Sequence, residues 1–220
     1  MTPASAPLFD AYSVLAIGFV IAVVPLLAVV VTSFLKLTVV LGLLRNAIGV
    51  QQIPTNMVLN GIALILSAYI MAPVVMDAMD TMRTQPSTTS QPQQFANALE
   101  AAQEPYKKFL SKHAHERERR FFLQTATSIW TPERARLLTE NDLIILAPAF
   151  ALSELSEGFR IGFMLYMAFV VIDLIIANIL IALGLSQLTP TTISIPFKLL
   201  MFVMLDGWSV LVHGLVLSYR

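Results

Sequence analysis

The sequence predicts an all-α membrane protein with about four long hydrophobic, hairpin-like segments and a small helical soluble region between the second and third. Three observations carry this prediction. Of the 220 residues, 56% are apolar and only 13% are charged, and mean hydropathy is +0.73, a balance that soluble domains seldom reach. Apolar runs long enough to cross a bilayer recur along the chain, whereas strand-length alternation does not. Nine acids and nine bases are concentrated between Asp77 and Asp142, which separates a water-exposed region from the apolar remainder.

Residues 1–10 read as a tail without a basic n-region, which argues against a cleaved signal peptide. Ala11 to Leu35 contains no charge and would span about 37 Å as a helix, with Pro25 kinking it midway. The apolar pattern continues past Lys36 to Arg45, so one helix is expected to outrun the bilayer. Gly42 and Gly49 lie seven apart on a shared face, a candidate for close helix packing. After the turn around Pro54, Asn56 is placed as an N-cap, and Met57 to Met76 forms the second span. Residues 11–76 are therefore the first pair of hydrophobic helices.

Residues 77–142 form the soluble region. Its first portion, 84–94, has the Pro, Gln and Ser content of a disordered linker. Apolar residues then recur at helical spacing on either side of Pro105, predicting a pair of amphipathic helices. Thr131, Pro132 and Glu133 signal another helix start, as do Glu140, Asn141 and Asp142.

Residues 143–220 supply the second pair. LSELSEGF, before Ile161, reads as a polar break, and Gly158 and Gly162 make a small-residue step for close packing. Ile161 to Leu185 is the third long segment and carries Asp173; Ile193 to Leu217 is the fourth and carries Lys198, Asp206 and His213. A charge at bilayer depth costs at least a few kcal/mol, so Lys36, Asp173, Lys198 and Asp206 are expected to face protein or a water-filled cavity. On a continuous helix Lys198 and Asp206 would stand about 12 Å apart along the axis, so their partners must lie on another helix or another subunit. Lys36 and Arg45 near the first short loop place that loop in the cytoplasm and the soluble region in the periplasm or lumen.

Composition narrows the function classes. Net charge is zero, which offers no basic footprint for nucleic acid. With no cysteine there is no disulfide or thiolate site, and His113, His115 and His213 lack carboxylates arranged to complete a metal site. Asp173 and Asp206 could form an intramembrane aspartyl dyad, but FVMLDGW lacks a glycine-rich approach for substrate. Ser209 and His213, at i and i+4, lack a third residue to orient the histidine. No cofactor motif occurs, and no enzyme is expected. A small ion-coupled carrier would use the same charges as a relay, whereas a scaffold without a conduit would use them as staples between helices or subunits.

Several ordered motifs point further. TSF at Thr32 to Phe34, LLRNAIG at Leu43 to Gly49, PTN at Pro54 to Asn56, LAPAFALSEL at Leu146 to Leu155, IDLIIANILIALG at Ile172 to Gly184, PFKLL at Pro196 to Leu200 and DGW at Asp206 to Trp208 resemble the FliP/SctR family of the type III secretion export apparatus. The resemblance covers about two thirds of the chain and omits 83–141. It implies a non-enzymatic, pore-forming subunit, expected as a pentamer, that builds a helical, cone-shaped export gate with the S and T components. The U and V components, the membrane and unfolded secreted proteins in transit would be further partners. It implies the bacterial inner membrane as location, and the absent basic n-region and the SQLTP turn favour an injectisome member, hence a role in virulence. Where such proteins carry a methionine cluster at the pore constriction, this chain has Leu185, Ser186 and Gln187.

Overall fold

The computed structural model describes residues 18, 29–50, 53–83, 103–185 and 187–220, and every regular element among them is a helix. In chain order these are α1 (Phe34–Ile48), α2 (Asn56–Arg83), α3 (103–113), α4 (Glu116–Ile129), α5 (Pro132–Ala135), α6 (Leu143–Ala182), α7 (Pro190–Met204) and α8 (Gly207–Leu217). The sequence-predicted segment 11–28, apart from Gly18, and the linker 84–94 lie outside the described residues.

Helix α6, 40 residues and about 60 Å long, is the spine. Helix α1 lies against it, and α2 and α8 close over α1's remaining sides. Leu37, Val40, Leu41 and Leu44 of α1 are fully buried, and Leu59, Ala63, Phe169, Leu211 and Leu215 from the surrounding helices complete the core. The close approach of α1 and α6 depends on the two glycines four apart. A Cβ on Gly158 would stand 3.3 Å from Val39 Cβ and 3.4 Å from the Lys36 backbone, and one on Gly162 would stand 2.3 Å from Leu43 Cδ1. Gly49 ends α1 at φ 84°, where a side chain would be strained, and Ile195 of α7 packs over it. Gly42, by contrast, has open space at its Cβ position.

A second core joins the soluble helices to the start of α6. Leu110 and Ala114 pack with Val31, Leu146, Ala149 and Phe150, and Tyr106, Phe109 and Phe122 border them. Thr131 and Asp142 occupy the N-cap positions of α5 and α6 without a side-chain bond into the first turn; Pro132 takes the first position of α5, and the Asp142 carboxylate accepts from the Thr139 N–H at 2.6 Å instead.

Four local expectations change. The helix expected to run on through Lys36 is interrupted at Val31–Ser33. The break is covered by polar groups: Ser33 donates to Ser67 Oγ, Ser67 to Thr32 Oγ1, and the Tyr106 hydroxyl donates to the Val31 carbonyl at 2.8 Å. Such cover supplies partners for polar groups that the break exposes. Thr55, rather than Asn56, precedes α2, accepting the Leu59 N–H on its carbonyl, and the Asn56 side chain instead takes the Arg45 guanidinium at 2.5 Å. LSELSEGF is no break, because α6 runs through it: Ser153 donates to the Ala149 carbonyl, Glu154 finds a lysine, and Gly158 is filled by α1. The fourth segment is two helices, bent by 64° at Leu205–Asp206. Asp206 adopts φ 49°, and a Cβ on Gly207 would lie 2.4 Å from the Phe202 ring, so this tight corner needs that glycine.

Among the described residues, α2 over Asn56–Thr81 and α6 are long and apolar enough to cross a membrane, and α7 with α8 makes a third if the bent pair counts as one span. Pro73 and Pro148 stand inside α2 and α6, while Pro25 lies outside the described residues.

Candidate functional site

Two buried lysines organise the polar interior. Lys36, on the first turn of α1, ion-pairs with Glu154 of α6 at 3.0 Å, with side chains 5% and 2% exposed. Tyr219, just past α8, donates its hydroxyl to Glu154 Oε2 and lays its ring 4.0 Å from Lys36 Nζ. The ring is backed by Phe109, stacked at 6.3 Å, and by His113, tilted at 5.1 Å. Four parts of the chain therefore meet at one clasp: α1, α6, the end of α8 and soluble helix α3. The carboxylate accepts from an ammonium and a phenol, and the ammonium gains an aromatic face, which offsets the desolvation of both charges.

Lys198, on α7, is 4% exposed and donates to Asp173 Oδ2 of α6 at 2.5 Å and to the Ala47 carbonyl at 3.0 Å. The second contact uses one of the carbonyls left free at the end of α1, where a cation is favoured by the helix dipole. This clasp is less complete. Asp173 is 38% exposed, its buried Oδ1 has no hydrogen-bond partner, and neither has Ser194 Oγ one turn before Lys198.

Of the four charges singled out by sequence, three thus take part in interhelical contacts within the chain. Asp206 does not: it is exposed and accepts from Ser209 Oγ at 3.0 Å within its own corner. That bond also occupies the serine of the Ser209–His213 pair. Glu154 and Tyr219 were not selected by sequence reasoning. The signal for Glu154 was present, since Glu154, Gly158 and Gly162 recur every four residues and share the stripe of α6 that faces α1.

The turn joining α6 to α7 is exposed. Gly184 at φ 72° and the Leu185 N–H bonded to the Leu180 carbonyl end α6, and Thr189 with Pro190 starts α7. Leu185 and Leu188 are 43% and 47% exposed and Gln187 is exposed, while Ser186 lies outside the described residues. No group of three or more potential metal ligands occurs among the described residues; His115 instead faces Glu157 at 3.5 Å. At the soluble edge of the Lys36 clasp, burial together with Lys112 and Lys36 pushes His113 down to about 4, and burial pushes Tyr106 up to about 12.

Among the described residues every regular element is a helix, two or three helices are long and apolar enough to cross a membrane, and the buried lysines close on carboxylates of the same chain, a make-up that defines a helical membrane-protein class. The FliP family profile matches residues 17–215, and the chain belongs to the FliP family. It is 55% identical over 210 residues to the hypersensitivity response secretion protein HrcR of Ralstonia nicotianae, covering 94% of this chain and 97% of that one. Identity is 44% over 210 residues to the Yop proteins translocation protein R of Yersinia pestis, covering 96% and 97%. It is 40% over 202 residues to the virulence protein YscR of Salmonella typhimurium, covering 91% and 93%.

Proposed function

We propose that this chain is a structural, pore-forming subunit of a type III protein secretion export gate of the injectisome kind, conducting unfolded proteins across the bacterial inner membrane. The observation that carries the reading is near-full-length identity, 55% and 44%, to proteins named for secretion and translocation. The internal design supports it, because the buried charges clasp the chain's own helices while large apolar side chains remain exposed along α2, α6 and α7. Those faces suit lipid, further copies of the chain and the other export components. Copies assemble as a pentamer, with the S and T components completing a cone and the U and V components adjoining it. The Leu185–Gln187 turn lines the constriction, and residues 77–142 lie on the periplasmic side.

The ion-coupled carrier is the weaker reading, since both buried lysines are already paired with carboxylates. Export assays on a deletion strain separate the two. Loss of type III substrates from the medium, restored by this chain, is expected; normal export with impaired solute uptake would overturn the gate.

A further inference from the structure

The corner between α7 and α8 holds a charge that nothing in the chain answers. Asp206, at the bend, is exposed; its Oδ1 accepts from Ser209 Oγ at 3.0 Å, and no lysine, arginine or histidine among the described residues lies within ion-pair distance of it. Its surroundings are not those of a solvated turn. Val203, Met204, Leu205 and Val210 are 65–76% exposed, and Trp208 is exposed as well. The outward face of α8 continues this surface: Leu211 and Leu215 turn inward to the core, while Val210, His213 and Gly214 face out. A Cβ on Gly214 would meet nothing within 4 Å, so this glycine, which weakens the middle of α8, leaves space that the chain itself does not use.

An exposed apolar surface of this extent is covered by lipid or by protein. Acyl chains would offer the carboxylate no partner, whereas a protein surface can bring a base to it. We propose that the α7–α8 corner and the outer face of α8 dock an apolar helix of a different protein chain, with a lysine or arginine of that helix on Asp206 and its backbone close over Gly214. A second copy of this chain does not supply the charge, because its bases are engaged or stand elsewhere. Of its 14 lysines and arginines, nine lie between Arg83 and Arg136, at the end of α2 and in the polar stretch after it, and residues 1–35 contain none. Lys36, Arg160 and Lys198 pair with Glu154, Glu157 and Asp173, and Arg45 donates to Asn56 and to the Pro54 carbonyl. Arg220 stands beside the carboxylate of its own residue, the last in the sequence. The base that meets Asp206 therefore comes from another protein.

This inference rests on the export-gate reading, and the test separates the two. In a deletion strain the full chain is produced with the photo-reactive residue p-benzoylphenylalanine at Val210 or, as a second position, at Met204; after irradiation the adduct is purified and its peptides are sequenced by mass spectrometry. Failure of the unmodified chain to restore secretion in that strain would remove the export-gate reading itself. With secretion restored, the expected adduct joins this face to an apolar helix of a different protein, with a lysine or arginine within one turn of the cross-linked residue. Asp206→Asn should lower the adduct yield about tenfold, and Asp206→Lys should abolish it, with recovery when the partner's base is changed to aspartate. An adduct only with a second copy of this chain or only with phospholipid would overturn the site, as would a partner helix without a base or a yield unmoved by both Asp206 variants. No adduct at either position would overturn it too.

Discussion

The two buried lysine clasps differ in how completely each is closed. At Lys36 the carboxylate comes from α6 and both the phenol and the aromatic face come from Tyr219 past the end of α8, and both charged side chains are almost fully excluded from water. At Lys198 the ammonium is equally buried, but its aspartate is more than a third exposed and keeps one oxygen without a partner. The first arrangement fixes geometry, whereas the second leaves room to rearrange. It sits where α7 meets α6, beneath the bare turn, so the part of the molecule nearest the proposed constriction is also the less firmly tied. The lesson is that two interior ion pairs of the same chemistry need not play the same role.

The comparison is broken most severely at the first clasp. Glu154→Ala should leave Lys36 charged and unpaired, destabilising the detergent-solubilised protein by about 3–5 kcal/mol, while Lys36→Met with Glu154→Leu together should recover most of that loss. A double variant as unstable as the single would mean that the charges are not coupled. At the second clasp the effects should be smaller and asymmetric. Asp173→Asn strands a buried ammonium, whereas Lys198→Met leaves a carboxylate that water can reach, so Asp173→Asn should unfold at the lower temperature. The reverse order would contradict the exposures on which the contrast rests.

Packing sharpens the contrast further. Gly162→Ala should cost about 1–3 kcal/mol through Leu43, and Leu43→Ala in the same chain should relieve part of it; strict additivity of the two changes would argue against this contact. The smallest effect concerns pH. His113 binds its proton less readily folded than unfolded, so between about pH 6.5 and about 4 the unfolded chain holds more protons and stability falls as pH falls. His113→Phe should flatten that part of the unfolding profile, and an unchanged profile would assign the dependence to other groups.

Much of this arrangement was legible in the sequence because membrane depth makes charge conspicuous. Lys36, Asp173 and Lys198 stood out as groups that could not face lipid, and the glycines at 158 and 162 marked the close side of α6. Glu154 was hidden by its neighbours: Ser153, Ser156 and Glu157 made the stretch read as a polar break, although helical spacing places Glu154 in line with both glycines. The corner at Asp206 was hidden for the opposite reason, since apolar residues on both sides continue the pattern across a change of direction. Hydropathy reports depth and burial, whereas the bend is set by one left-handed backbone and the packing of Phe202 over Gly207.

The central claim is that the turn between α6 and α7 lines a protein conduit, and the absence of native cysteine permits a direct measurement. A single cysteine at Gln187 is tested for cross-linking to a secreted substrate stalled during export, with a cysteine at the exposed soluble residue Leu137 as control. A substrate adduct at 187 and none at 137 is the predicted result. No adduct at 187, with secretion intact and the protein stable, would contradict it and leave a scaffold in place of a gate.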